Sequence, residues 1–236
     1  DIKSVDQLEE LNVKRYKVAS PDLVDMPIHK KIISTRKPVI LSTGMANIKE
    51  IKKTVDYYKK NRMKKITLLH CVSNYPCSTK SLNLNVIPKL KKIFNLPIGF
   101  SDHSVGNNAA VMAVGFGATI IEKHFTTDKK LPGADHFMSM NPKEFSTYVK
   151  SIRNAEKQLG SDKKEVQPEE KKFIIFARKS ITLRKSMKRG NIIRAKDIIM
   201  KRPGSGLNGQ KISTVIGKKL RKNFSKDHQI RKQDLI

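Results

Sequence analysis

The sequence is short of acids, cysteines and aromatics, and each shortage narrows what it can be. Only 21 of its 236 residues are Asp or Glu, against 49 Lys and Arg, so the formal charge is +28. A balance this basic suits nucleic acid, a membrane surface or anionic metabolites. Aromatic residues make up only 6% of the chain, and lysines such as Lys49, Lys52, Lys53, Lys59 and Lys60 are spread over exposed faces of helical patterns. The excess therefore reads mainly as solvated surface, with a basic polyanion-binding or nucleic-acid-binding protein as the rival. The two cysteines, Cys71 and Cys77, stand in neither a CxxC nor a zinc spacing. With no signal peptide and no long apolar run, a membrane span is not expected, and a reducing, cytoplasmic location is the default. Walker loops, GxGxxG, HExxH and a serine nucleophile elbow are missing too.

What is present is a regular alternation. Apolar runs near Lys17, Ile40, Leu69, Ile98 and Ile121 read as strands, each followed by a helical pattern, which predicts a parallel sheet covered by helices. Asn47 with Glu50, and Asn141 before Pro142, read as helix starts. Polar clusters follow almost every strand: Ser20, Ser42-Thr43, Ser73 to Tyr75, Ser101 to Ser104, and Glu122 to Thr127. An eight-fold β/α barrel gathers all its strand ends at one mouth and is the economical fold. Five units are visible here, so about three units of roughly 30 residues are expected before residue 1, and the chain reads as a fragment.

The pattern centres on Ile98 to His103 and Thr119 to His124, two adjacent strands that each end in a histidine. The period of two puts Glu122 and His124 on one face. Strand-end histidines often do no more than hydrogen-bond in a core, but this pair, flanked by Asp102 and Glu122, also suits an open metal site for Lewis-acid or acid/base chemistry. Lys17, Ser20 and Ser101 can form an anion pocket, although Lys17 is equally one more surface lysine. Cys71 reads as core packing, because adjacent strand residues such as His70 and Cys71 face opposite ways. Leu131 to His136 reads as a loop that closes over a substrate, or as a plain connection.

The texture changes after Gly160. Residues 1–160 read as barrel, 161–176 as an apolar-poor linker, and 177–236 as a small mainly-β module with a turn at Lys188 to Gly190. That module is too small for assured independent stability, so docking on a partner is expected.

Several strings in order now resemble a known family: Tyr16-Lys-Val-Ala-Ser20, Leu41-Ser-Thr-Gly-Met45, Leu69-His-Cys-Val-Ser-Asn-Tyr-Pro76, Gly99-Phe-Ser-Asp-His103, Ile121-Glu-Lys-His-Phe125, Pro132-Gly-Ala-Asp135 and Lys201-Arg-Pro-Gly204. They are similar to the sialic acid synthases, which make N-acetylneuraminate, legionaminate and pseudaminate, and residues 177–236 resemble the antifreeze-like (SAF) domain of those enzymes. The resemblance implies an eight-fold barrel plus that domain, in a domain-swapped homodimer. It also implies condensation of phosphoenolpyruvate with an N-acyl amino sugar aldehyde, using Mn²⁺ or Mg²⁺ and releasing phosphate. By motif, His103 and His124 match metal ligands, and Lys17 and Glu122 match catalytic positions. Ser20, Ser101, Tyr75, Asp135 and Arg202 match substrate-side positions, Arg202 reaching across the dimer. The family's upstream glutamate and lysine lie before residue 1, and Ser73 stands where many members carry asparagine. The activity is therefore expected of the intact protein, with an inactive remnant as the alternative. The sugar leans to the neuraminate and legionaminate side.

Overall fold

The computed structural model describes residues 1–236 as two compact units, Asp1–Ser161 and Asp162–Ile236. In the first, helices and strands alternate: α1 Ile2–Glu10, β1 Tyr16–Val18, α2 Met26–Ser34, β2 Val39–Ser42, α3 Ile48–Lys60, β3 Ile66–Cys71, α4 Val86–Phe94, β4 Ile98–Asp102, α5 Asn108–Gly115, β5 Ile121–Lys123 and α6 Pro142–Leu159. The five strands form one parallel sheet in sequential order. The expected helix starts are present: Asn47 and Asn141 accept from the backbone of Glu50 and Glu144, whose carboxylates reach back to the cap N–H groups. Each box satisfies donors that a bare helix start would leave orphaned.

Strand alternation divides the sheet into a helix-facing side and an inner side. Tyr16, Val18, Val39, Leu41, Ile66, Leu68, Ile98 and Phe100 pack beneath the helices against Leu23, Ile32, Ile51, Val55, Ile87 and Leu90. Lys17, Ser42, Leu69, Cys71, Gly99, Ser101 and Glu122 take the alternate positions. Gly99 is needed there, because a Cβ would sit 2.5 Å from both the Ile120 carbonyl and Leu69. The sheet is also curled. Laid flat, β1 and β5 would be about 19 Å apart, beyond the roughly 10 Å that a lysine and a glutamate span together. Lys17 Nζ on β1 nonetheless lies 3.2 Å from Glu122 Oε2. The sheet is thus an arc of a TIM-type barrel with its mouth at the carboxyl ends of the strands.

Beneath α2 and α3, His29 is fully buried. Its Nε2 lies 2.8 Å from the Leu23 carbonyl, which can only accept, so Nδ1 is left to accept from the Tyr58 hydroxyl at 2.9 Å. Burial pushes its pKa below the ordinary imidazole value, and burial does the same to His70 on β3. A pKa depressed in the folded state means that the neutral ring stabilises the fold above about pH 6.5, and that this stability is lost as pH falls through the folded pKa. We expect the Tm to drop between pH 7.5 and 5, and the drop to shrink in His29→Gln. Thermal unfolding across that range checks this, and an undiminished drop would assign the pH dependence elsewhere.

The second unit holds an antiparallel pair, β6 Ser180–Leu183 and β7 Ile198–Lys201, around a core of Ile181, Leu183, Met187, Ile193, Ile198, Val215, Leu220 and Ile230. Gly190 takes φ +80° in the expected turn, a conformation glycine adopts without steric cost. Within the stretch 161–176, read as an apolar-poor linker, Pro168–Glu170 forms a 3₁₀ turn that leads into α7, Lys171–Ala177. Pro168 presets the first turn, and the Gln167 N–H donates to Glu170; the apolar run that follows then continues the helix. Phe173, Ile175 and Phe176 of α7 are exposed. No helix is long and apolar enough to cross a membrane.

Candidate functional site

The ends of β1 to β5 bring eight of the nine sequence-derived site residues into one mouth. The β4–β5 register pairs Ser101 with Glu122 and Asp102 with Lys123, so the next residues, His103 and His124, emerge side by side. Their ring centroids are 5.2 Å apart. The Tyr75 ring packs on both, 4.2 Å from His103 and 5.5 Å from His124. Asp135, on the loop after β5, lies 3.8 Å from His124 Nδ1. Its own carbonyl accepts from Ser139, which anchors that loop.

Glu122 is held at both oxygens: Ser101 Oγ donates to Oε1 at 2.7 Å, and Lys17 Nζ approaches Oε2 at 3.2 Å. One carboxylate thus faces the mouth with a cation and a hydroxyl fixing its orientation. Ser20 is buried and accepts from the Gly44 N–H at 3.0 Å. A side chain at Gly44 would have to displace the Ser20 and Ser73 hydroxyls. Arg202 belongs to the second unit, where its Nε donates to the Ala177 carbonyl at 3.0 Å.

Two residues join this group and one leaves it. Cys71 was expected to be core. It is buried, but its Sγ faces His103 Nδ1 at 3.8 Å, Ser20 Oγ at 3.5 Å and Ser73 Oγ at 3.8 Å. The register that pairs Cys71 with Ser101 puts it on the inner face, whereas His70 turns away to the Leu82 carbonyl. Parity along β3 separates Cys71 from His70, but which of the two faces the mouth follows only from the pairing of Cys71 with Ser101. Ser42 is the second addition. Its Oγ is buried at the inner end of β2 and has no hydrogen-bond partner, an unmet demand that an incoming polar group can satisfy. Nothing in the sequence set Ser42 apart from Thr43. Asp102 departs: parity turns it to the helix side, where the Tyr148 hydroxyl donates to it.

Electrostatics distinguish the two histidines. Burial disfavours charge on His103, but its contacts with Cys71 and the Val72 carbonyl outweigh this and raise its pKa. Burial, and then the charge of His103, lower that of His124. Burial alone would raise the Cys71 thiol, yet hydrogen bonds with His103 and Ser20 bring it down to about 7. The Val72 carbonyl lies 2.9 Å from His103 Nδ1. Since a carbonyl only accepts, Nδ1 carries the proton and the Nε2 lone pair is free.

This donor set fits an open metal site. No set of three or more His, Cys, Asp or Glu side chains converges as a closed cage, and two imidazoles with one tautomer fixed leave the other coordination positions to water or substrate. Nitrogen donors suit a first-row transition ion better than Mg²⁺, which prefers oxygen.

Residues 1–164 match the NeuB family and residues 178–236 match the SAF domain. The N,N'-diacetyllegionaminic acid synthase of Legionella pneumophila is 42% identical over 95% of this chain and 64% of its own length. The human N-acetylneuraminate-9-phosphate synthase is 32% identical over 98% of this chain, again 64% of its own length, so the chain spans just under two thirds of both relatives. The solved N-acetylneuraminic acid synthetase of Leptospira borgpetersenii superposes with a TM-score of 0.69 at 38% identity, covering 74% of this chain and 61% of that one. A truncated 3-deoxy-D-arabino-heptulosonate 7-phosphate synthase from Thermotoga maritima, at 21% identity and TM-score 0.55, shares the barrel fold. With most of its length matched by one family model and its strand-end motifs gathered at one mouth, this chain belongs to the NeuB family, the sialic acid synthases, and carries a SAF domain after its barrel unit.

Proposed function

We propose that the intact protein condenses phosphoenolpyruvate with the open-chain aldehyde of an N-acyl amino sugar, forming a nine-carbon sugar acid and releasing phosphate. The observation that carries this reading is the convergence of Lys17, Ser101 and Glu122 with the His103–His124 pair at one set of strand ends. Lys17 and the Ser20, Ser42 and Ser101 hydroxyls are positioned to bind the anionic groups of phosphoenolpyruvate, a matter of orientation more than chemistry. The methylene carbon of phosphoenolpyruvate bonds to the aldehyde carbon, whose oxygen takes up the electron pair and a proton. Positive charge then develops at the phosphate-bearing carbon, and the fixed Glu122 carboxylate stabilises it. Water adds there, and phosphate departs to leave the ketone. A divalent cation held by His103 and His124, Mn²⁺ in preference to Mg²⁺, would supply polarisation of the aldehyde oxygen. Tyr75 and Asp135 border the histidines on the side open to the sugar. Identity to the legionaminic acid synthases of 42% and 39%, against 34% and 35% for two pseudaminic acid synthases, supports a sugar of the legionaminate type.

A second copy is part of this proposal. The exposed Phe173, Ile175 and Phe176 on α7 support a dimer in which Arg202 reaches the partner's sugar. The full-length protein is expected to have the mass of a dimer by light scattering. It should release phosphate from phosphoenolpyruvate only when Mn²⁺ and an acylated amino sugar are both present. His124→Ala should lower that turnover by about 10²-fold or more. Unchanged turnover in the variant would remove the metal assignment, and sugar-independent phosphate release would remove the condensation.

A further inference from the structure

We propose that Asp102, Lys123 and Tyr148 are positioning residues that fix the spacing of His103 and His124. The inference rests on reading that pair as the metal site. Asp102 and Lys123 immediately precede the two histidines and are cross-strand partners. Neighbouring strand residues face opposite ways, so these two lie on the helix side of the sheet and do not face the mouth.

There they form a closed polar cluster. The Lys123 side chain is 4% exposed and that of Asp102 is 0%, with Nζ 3.3 Å from Oδ2. The Tyr148 hydroxyl on α6 donates to the same oxygen at 2.7 Å. The other oxygen accepts from the Ser104 N–H at 2.8 Å and from its hydroxyl at 2.6 Å. Lys123 Nζ also donates to the Ser104 carbonyl and lies 5.6 Å from the centre of the Tyr148 ring. His103 therefore stands between two residues tied to each other, and the lysine before His124 is tied to both. Strand β4 closes on β5 at the point where the two rings emerge.

Helix α6 completes the brace. The Met140 N–H donates to the His124 carbonyl at 3.0 Å, Asn141 caps α6 directly after it, and Tyr148 lies two turns along the same helix. One rigid element thus holds the backbone of His124 at its start and the carboxylate beside His103 further along. A buried ion pair adds little stability over an apolar cluster of equal volume. What it fixes is geometry, and losing the partners that orient metal ligands lowers metal affinity.

Tyr148→Phe removes one hydrogen bond and keeps the ring. Titrating the protein with Mn²⁺ alone, and following free Mn²⁺ by electron paramagnetic resonance, should show affinity weakened by about 10-fold. Ser104→Ala removes a second bond to Asp102 and should shift affinity the same way, which keeps the proposal testable if Tyr148→Phe folds poorly. Tyr58→Phe, which loses its hydroxyl contact with His29 elsewhere in the core, controls for general loosening and should bind Mn²⁺ as the parent does. If His124→Ala abolishes binding while Tyr148→Phe and Ser104→Ala match the parent, the brace is wrong and the metal site stands. If His124→Ala binds Mn²⁺ like the parent, or the parent binds none, the metal reading fails and the brace with it. A loss in Tyr58→Phe equal to that in Tyr148→Phe would also overturn the brace.

Discussion

Replacing Glu122 with glutamine is expected to lower kcat by about 10²–10³-fold while leaving the KM for phosphoenolpyruvate unchanged or lower. The direction follows from the contacts. Glutamine keeps the shape of the side chain and can still accept from Ser101 Oγ at the oxygen position now 2.7 Å away. It loses the negative charge, and with it the partner that holds Lys17 Nζ at 3.2 Å. A lysine released from an ion pair is freer to bind an anion, so ground-state binding of phosphoenolpyruvate should not suffer. The loss should fall on the step where positive charge develops, which a neutral amide cannot offset. Steady-state phosphate release by the full-length protein, with both substrates varied, separates the two parameters. A kcat within about threefold of the parent would show that Glu122 does not stabilise the transition state. A rise in KM alone would make Glu122 a binding residue.

The second large effect concerns stability. Asp102→Ala should cost about 3–5 kcal/mol, because it leaves the Lys123 ammonium without a counter-charge in a site where its side chain is 4% exposed. Against a typical domain stability of about 5–15 kcal/mol, a loss of that size leaves the barrel unit marginal at best. The double variant Asp102→Leu with Lys123→Met should recover most of the loss, since apolar side chains of similar volume leave no charge unpaired. Urea unfolding of parent, single and double variants tests this. If the single variant loses less than about 1 kcal/mol, water or another group must reach Lys123 and the cluster is not closed. If the double variant is as unstable as the single, the ion pair itself supplies the stability.

Much of this molecule was legible in the order of residue types. Alternating apolar runs and helical stripes identified five β/α units. Asn47 with Glu50 and Asn141 before Pro142 marked two helix starts by short-range chemistry that needs no tertiary partner. The period of two along Thr119 to His124 put Glu122 and His124 on one face. The seven strings that resemble the sialic acid synthases named the residues of the proposed site, Ser42 excepted, before any distance was known.

The fate of Cys71, Asp102 and Ser42 depended on the register between strands and the curvature of the sheet, which are long-range quantities that local patterning does not encode. Cys71 looked like core because a buried thiol on a strand usually is; only its pairing opposite Ser101 turned it toward His103. Asp102 looked like a site carboxylate because it adjoins His103, yet alternation turned it to Tyr148 and Lys123. Helix α7 was read as linker because the charged residues before it mask a five-residue apolar run, Phe173 to Ala177. The sequence by itself determined the units, the family and the chemical types at the strand ends, because those follow from local periodicity and motif. Tertiary structure alone decided that Lys17 on the first strand meets Glu122 on the last, since that contact exists only when the sheet curls enough to bring its two edges within reach of a pair of side chains.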